Sequence, residues 1–88
     1  MADASFRLDI VTPTEGVRKL ECECLTVTLC DGEAAFLKGH TPFLGALPAG
    51  IVKVRVGETV DRYQIGEAFL QISPAGAAIF SDKCEKLE

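Results

Sequence analysis

Residues 52–58 read VKVRVGE, and this short stretch decides the fold class. Three valines alternate with Lys53 and Arg55, so one side of the segment is apolar and the other side is charged. A period of two places successive side chains on opposite faces of a β-strand, and Gly57 then favours a turn. The segment is therefore predicted to be a half-buried strand that ends at a turn.

The same alternation recurs along the chain. The apolar members of the other runs are Phe6, Leu8 and Ile10; Leu25, Val27 and Leu29; and Ala68, Leu70 and Ile72. Turn-forming residues separate the runs at 13–14, 31–32, 48–50, 57–58 and 74–76. This rhythm predicts an all-β fold, a small antiparallel β-sandwich or flattened barrel of about 8–10 short strands. With 88 residues, the chain is expected to form a single domain over 1–88.

Two local features refine this prediction. Leu20, Cys22 and Cys24 share one face, whereas Leu25 and the apolar residues after it share the other. A one-residue shift is typical of a β-bulge, which is predicted at Cys24–Leu25. The tail at 81–88 reads SDKCEKLE and is expected to form at most a short helical turn, because an isolated helix of about two turns is marginal.

Composition excludes several classes of function. The chain has nine Lys and Arg and thirteen Asp and Glu, which gives a net charge of −4. A nucleic-acid binder would need a concentrated basic face, so this class is excluded. The first ten residues lack the basic and apolar regions of a secretory signal, and no apolar run approaches the ~18–20 residues of a membrane span. A membrane role is therefore expected only through a partner, and the four cysteines are expected to be free thiols.

The stretch at 31–44, DGEAAFLKGHTPFL, holds the only histidine, His40. Glu33 lies seven residues away on a segment that reads as extended, so the spacing does not predict an acid–base pair. A Cys₃His zinc site built from His40 with Cys22, Cys24 and Cys30 is an alternative, although a Cys-x-Cys pair is tighter than the usual knuckle. The residues favour a binding or mechanical module over an enzyme.

The same stretch carries a family resemblance. The order GEAAFLKGHTPFL at 32–44, followed by LPAGIVKV at 47–54, resembles the N-terminal β-sandwich of the epsilon subunit of rotary ATP synthases. The shared pattern is a Gly-Glu turn, an apolar run, a Gly-His-Thr-Pro core and a Pro-Gly turn into a strand. FRLDIVTP at 6–13 and IGEAFLQI at 65–72 extend the resemblance over nearly the whole chain. The departures are AAF at 34–36, Lys38 and Glu67, where the family often has Leu-Gly-Ile, Pro and Gly.

The resemblance implies a non-catalytic subunit of the central stalk, with no cofactor, no metal and no small-molecule substrate. Its partners would be the gamma subunit and the membrane c-ring, at the cytoplasmic side of the bacterial inner membrane. The ring-facing contacts implied are Gly32, Glu33, Ala34 and His40, and the gamma contacts are Phe43, Leu44 and Phe69. His40 is expected to bond a partner or to brace the Glu33 turn, and a histidine internal to the fold is the alternative.

The resemblance also bears on regulation. Many members continue into a C-terminal helical hairpin that inhibits ATP hydrolysis, and Glu88 falls where that hairpin would begin. If residues 1–88 are the complete protein, the hairpin-dependent brake is expected to be absent. The competing interpretation is a free-standing β-sandwich adaptor or ligand-binding domain, which would have no affinity for gamma.

Overall fold

Alternating apolar residues and Gly- or Pro-containing turns organise residues 5–87, the part that the computed structural model describes, into ten strands. The strands are β1 (Phe6–Thr12), β2 (Gly16–Cys22), β3 (Cys24–Leu29), β4 (Gly32–Leu37), β5 (Phe43–Leu47), β6 (Gly50–Val56), β7 (Thr59–Ile65), β8 (Ala68–Ser73), β9 (Gly76–Ser81) and β10 (Cys84–Leu87). The alternating runs predicted from sequence all fall within strands, and the predicted turns lie at or between strand ends. Within residues 5–87 no helix is long and apolar enough to cross a membrane.

The strands form two five-stranded sheets that pack face to face. Sheet A has the order β2-β1-β9-β8-β5, and sheet B has the order β10-β7-β6-β3-β4. Every neighbouring pair is antiparallel except β1 and β9, which run parallel and pair Leu8 with Ala77. The all-β sandwich predicted from the sequence is confirmed.

The core lies between the sheets and is built from the inward member of each alternation. Leu8, Leu25, Val27, Leu70 and Ile79 are fully buried there. Cys22 and Cys84 are also buried as free thiols.

The predicted bulge at Cys24–Leu25 is wrong, and the chain instead changes sheets at this point. Strand β2 lies in sheet A, β3 lies in sheet B, and Glu23 forms the link between them. The two sheets face each other across the core, so a chain that passes from one sheet to the other must turn its opposite face inward. This shifts the buried positions of the alternating pattern by one residue. The backbone N–H of Glu23 donates to the Arg55 carbonyl at 2.7 Å, and its carboxylate accepts from the N–H of Gly57 at 2.9 Å, so the crossing is tied to the β6–β7 turn.

The tail forms a strand and not a helical turn. Residues 84–87 make β10, which pairs antiparallel with β7, while Glu88 lies outside the described residues. The Ser81 hydroxyl, a possible helix cap, accepts from the N–H of Lys83 at 3.3 Å and shapes the turn into β10. Pairing along β7 supplies ladder hydrogen bonds that a two-turn helix at the surface would have to find alone.

The pairing gives the sandwich two distinct ends. The odd-numbered strands all finish at one end, here called the odd end, which carries the turns at 13–15, 30–31, 48–49, 66–67 and 82–83. The even-numbered strands finish at the opposite end, the even end, which carries Glu23 and the turns at 38–42, 57–58 and 74–75. The candidate contact residues are distributed over these two ends and the two outer faces.

Candidate functional site

A row of apolar side chains crosses the outer face of sheet A near the odd end. Strand register places its members side by side, one from each strand of the sheet: Val17, Val11, Phe80, Phe69 and Ala46. This row is called the apolar band below. Phe69 is 60% exposed and Phe80 is 45% exposed, so two aromatic rings face solvent beside each other. Burial of such rings is a main source of binding energy at protein interfaces.

The next outward row towards the even end is more polar. It consists of Lys19, Asp9, Ala78, Gln71 and Leu44. Leu44 is 74% exposed and stands on the edge strand β5, next to the end of the apolar band. The apolar surface therefore covers the odd-end half of sheet A and extends along β5.

A groove of about 980 Å³ runs along the odd end beside the apolar band. Phe69, Phe80 and Pro48 contribute apolar lining, and the charged groups on its wall are the carboxylates of Glu67 and Asp82. No Lys or Arg of the described residues lines it. The groove thus offers apolar contact with a negative margin.

The Gly32–Glu33 pair lies at the odd end, on the sheet B side of the molecule. Gly32 is exposed with a φ of 137°, a conformation that favours glycine. The Glu33 carboxylate is exposed and lies 3.8 Å from the Lys53 ammonium on the outer face of sheet B. Ala34 differs from them, because it is half-buried and packs against the core. Within the predicted ring-facing turn, Gly32 and Glu33 are therefore open to a partner, whereas the Ala34 side chain packs inward.

His40 lies at the even end, so β4 separates it from Glu33. Its Nδ1 is 2.7 Å from the Thr41 carbonyl, and since a carbonyl only accepts, this contact places the proton on Nδ1. The ring stands edge-on to Phe36 with centroids 4.7 Å apart. The hypothesis that His40 braces the Glu33 turn is wrong. The imidazole instead braces its own loop, where Gly39 has a φ of 83° and allows the predicted bend.

Phe43 and Leu44 are neighbours in sequence but face opposite sides of β5. The Phe43 ring is half-buried, packs against the core and lies 5.4 Å from the ring of Phe36. It also covers Gly45, where an added Cβ would meet the ring at 2.7 Å. Leu44 points outward. Of the three predicted gamma contacts, Leu44 and Phe69 are thus exposed together on sheet A, and Phe43 supports β5 from inside.

The four residues of the alternative zinc site do not come together. Cys30 lies at the odd end and His40 at the even end, whereas Cys22 is buried in sheet A. Within residues 5–87 no group of three or more His, Cys, Asp or Glu side chains is placed to hold a metal ion. Burial raises the pKa of the Cys22 thiol from 9.0 to about 11 and also raises that of Cys84, so both cysteines behave as small apolar core residues.

Sequence reasoning did not identify Val11, Val17 and Phe80 as surface residues. The position of Phe80 could have indicated its exposure, because Phe80 lies between buried Ile79 and buried Ser81 and so faces the opposite side of the strand. Its position beside Phe69 and Val11 depends on the β8–β9 and β1–β9 registers, and the second of these joins residues about seventy positions apart. No local pattern encodes such a pairing.

Comparison with known proteins agrees with this architecture. The family described as "ATP synthase, Delta/Epsilon chain, beta-sandwich domain" matches residues 5–87. The "ATP synthase epsilon chain" of Francisella tularensis subsp. holarctica (strain LVS) is 31% identical over 88 residues, which is 100% of this chain and 61% of the relative. The epsilon chain of Francisella philomiragia subsp. philomiragia is likewise 31% identical over the same span. The chain therefore spans about three fifths of the length of these relatives.

Two solved structures share the fold. A chain in the cryo-EM structure of Euglena gracilis mitochondrial ATP synthase, "OSCP/F1/c-ring in rotational state 1", superposes with a TM-score of 0.84 at 22% identity, over 98% of this chain and 56% of that chain. A chain in the "central stalk/cring" structure of Tetrahymena thermophila mitochondrial ATP synthase gives a TM-score of 0.72 at 12% identity, over 90% of this chain and 64% of that chain.

Proposed function

The chain belongs to the family of ATP synthase delta/epsilon chains, and from this we infer that it serves as a non-catalytic central-stalk subunit of an F-type ATP synthase. It bridges the gamma subunit and the membrane c-ring and couples ion-driven rotation of the ring to ATP synthesis. The observation that carries this proposal is the family match over residues 5–87. Residues 1–88 make up one epsilon-type β-sandwich domain of that subunit.

The outer face of sheet A is the surface proposed to contact gamma. A permanent interface is more apolar than an ordinary protein surface, and the apolar band with Leu44 supplies exposed apolar side chains for such an interface. Phe69 and Leu44 make direct contacts. Phe43 acts from beneath, because its ring packs under Gly45 and holds β5 in position.

The Gly32–Glu33 turn is proposed to rest on the c-ring. A carboxylate at an exposed turn accepts charge-assisted hydrogen bonds from Arg, Lys or amide groups of polar loops. The Lys53 ammonium lies 3.8 Å from the Glu33 carboxylate, and an exposed pair of this kind leaves the carboxylate available to a partner. Ala34 and His40 are retained in the proposed ring-facing set, which requires the ring loops to run along the β4 edge, since Glu33 lies at the odd end of β4 and His40 beyond its even end.

Mechanical stiffness is the physical property that this function requires. Torque passes from one partner to the other only if the body between them does not shear. Two hydrogen-bonded sheets with a continuous core resist shear, and the tie from Glu23 to Arg55 and Gly57 links the sheet crossing to sheet B. Through these partners the chain lies peripheral to the membrane, at the cytoplasmic side of the bacterial inner membrane.

Co-purification with the gamma subunit from the same source tests this function. We expect a 1:1 complex on size exclusion that survives added salt, because salt screens charge pairs but not buried apolar area. Phe69 is 60% exposed, and burying that part of its side chain is worth about 2–4 kcal/mol, since an aromatic side chain buries about 150–250 Å² in all and each Å² contributes about 25 cal/mol. Phe69→Lys should therefore weaken the complex by about 30- to 700-fold.

Val60→Lys is the matched control. Val60 is an exposed apolar residue on the outer face of sheet B, so its substitution should leave the affinity for gamma within about twofold. Two separate peaks for the unchanged chain and gamma would favour the adaptor interpretation. Equal weakening by Phe69→Lys and Val60→Lys would assign gamma to a different face.

A further inference from the structure

Four strands form the open edges of the two sheets, and one of them differs from the rest. The edges are β2 and β5 in sheet A and β10 and β4 in sheet B. Native proteins protect such edges with charged side chains or proline, because unpaired backbone groups attract further strands. Three of the edges carry that protection: β2 has Arg18, Lys19 and Glu21, β4 has Glu33, and β10 has Glu85 and Lys86.

Strand β5 carries none of these devices. Its sequence is FLGAL, with no charge and no proline. It pairs with β8 on one side, and no strand of the described residues pairs with its other side. Backbone N–H and C=O groups on that side are left for water or for a partner.

The open edge also continues the apolar band. Ala46 is the member of the band that β5 supplies, and Leu44 stands two residues away on the same face. A strand added beside β5 would extend the row that runs through Phe80 and Phe69. Its side chains would alternate between this outer face and the side on which Phe43 packs.

We propose that β5 is a docking edge at which the gamma subunit adds an extended strand to sheet A. This inference rests on the proposed function and specifies how the gamma contact is made. The added segment has apolar side chains at alternate positions, where it continues the apolar band. It carries Lys or Arg where it passes the odd end, since Glu67 and Asp82 supply the charge on the groove there.

Strand addition predicts a signature that contact through side chains alone does not. In an edge strand the amides directed at the neighbouring strand are protected from hydrogen exchange, and those directed outward are not. We expect amide exchange by NMR on the ¹⁵N-labelled chain to show every second residue of 43–47 unprotected when the chain is free. In the complex with gamma, the hydrogen exchange of those same amides should slow by at least about tenfold, while the exchange rates of the amides in edge strand β2 should not change.

A pair of matched variants tests whether gamma binds at this edge of sheet A and not at the β4 edge. Ala46→Lys places a charge on the outer side of β5, and Ala35→Lys places the same charge on the exposed outer side of edge strand β4. Ala46→Lys should weaken gamma binding by at least about tenfold, because the ammonium would be desolvated beside the added strand. Ala35→Lys should leave the affinity within about twofold.

The outcomes separate this inference from the proposed function. A complex in which the outward amides of β5 exchange as fast as in the free chain would overturn strand addition and leave the stalk role intact. Failure of the unchanged chain to bind gamma would remove both. Protection of β5 that appears in the isolated chain and grows with its concentration would assign the edge to a second copy of the chain, and would also overturn the proposal.

Discussion

Gly76 provides a sharp test of how β1 and β9 come together, because the chain contains a matched control. Gly76 and Gly32 both have a φ of 137°. A Cβ added at Gly76 would lie 2.5 Å from the Arg7 carbonyl oxygen, whereas a Cβ added at Gly32 would meet nothing within 4 Å. Alanine at either site has the cost of an unfavourable φ, and alanine at Gly76 has in addition the cost of a clash with the backbone of β1.

These observations set the expected magnitudes. The backbone cost of a positive φ is about 1–2 kcal/mol for an alanine, and overpacking against a fixed neighbour adds about 1–3 kcal/mol. Gly32→Ala should therefore reduce the free energy of unfolding by about 1–2 kcal/mol and Gly76→Ala by about 2–5 kcal/mol. In a domain of this size each kcal/mol lowers Tm by about 4–8 °C.

Thermal and urea unfolding of the isolated chain, followed by circular dichroism, measure this difference. We expect Gly76→Ala to melt well below Gly32→Ala, with similar urea m-values. Equal melting temperatures for the two variants would mean that Arg7 does not approach Gly76. The parallel β1–β9 register, and with it the position of Val11 beside Phe80 in the apolar band, would then be wrong.

Three further expectations concern the core and the thiols. Leu70→Ala should lower the free energy of unfolding by about 2–5 kcal/mol, because Leu70 is fully buried. Leu44→Ala should lower it by less than about 0.5 kcal/mol in the isolated chain. Equal losses for the two variants in urea unfolding would contradict the assignment of Leu44 to the surface. A thiol reagent should modify exposed Cys30 rapidly and reach buried Cys22 only on unfolding, and mass spectrometry with proteolysis identifies the modified residue. Burial raises the pKa of Cys22 from 9.0 to about 11, so the thiol loses its proton at lower pH in the unfolded state than in the folded state. The free energy of unfolding should therefore fall by about 2–3 kcal/mol between about pH 9 and 11. Unfolding curves of Cys22→Ala across this range should show a smaller decline, and an unchanged decline would assign the pH dependence to other groups.

The fold class was predictable because the signal for it is local. Alternation at 6–10, 25–29, 52–56 and 68–72 defines strand faces without reference to any distant residue. The sheet crossing at Glu23 was not predictable in the same way, because a bulge and a change of sheet produce the same one-residue shift in sequence. The tail was ambiguous for a related reason, since an eight-residue segment takes its conformation from the partner it finds, here β7.

The candidate site was predictable only in part. Phe69 lies between Ala68 and Leu70 in an alternating run, which predicts that it faces outward, and the structure confirms that it is exposed. Phe43 and Leu44 were treated alike, although one residue along a strand reverses the direction of a side chain. The neighbours that make Phe69 part of a surface, Phe80 and Val11, come from strands whose pairing is set by the packing of the whole sandwich.

Site-directed photo-cross-linking in the assembled ATP synthase tests the central claim most directly, namely that this domain bridges two partners with two separate surfaces. A benzophenone amino acid would replace Phe69 on the outer face of sheet A in one variant and Glu33 at the odd end of sheet B in a second. We expect position 69 to cross-link to the gamma subunit and position 33 to cross-link to the c-ring subunit. Cross-linking of position 69 to the ring, or of both positions to a single partner, would contradict the account.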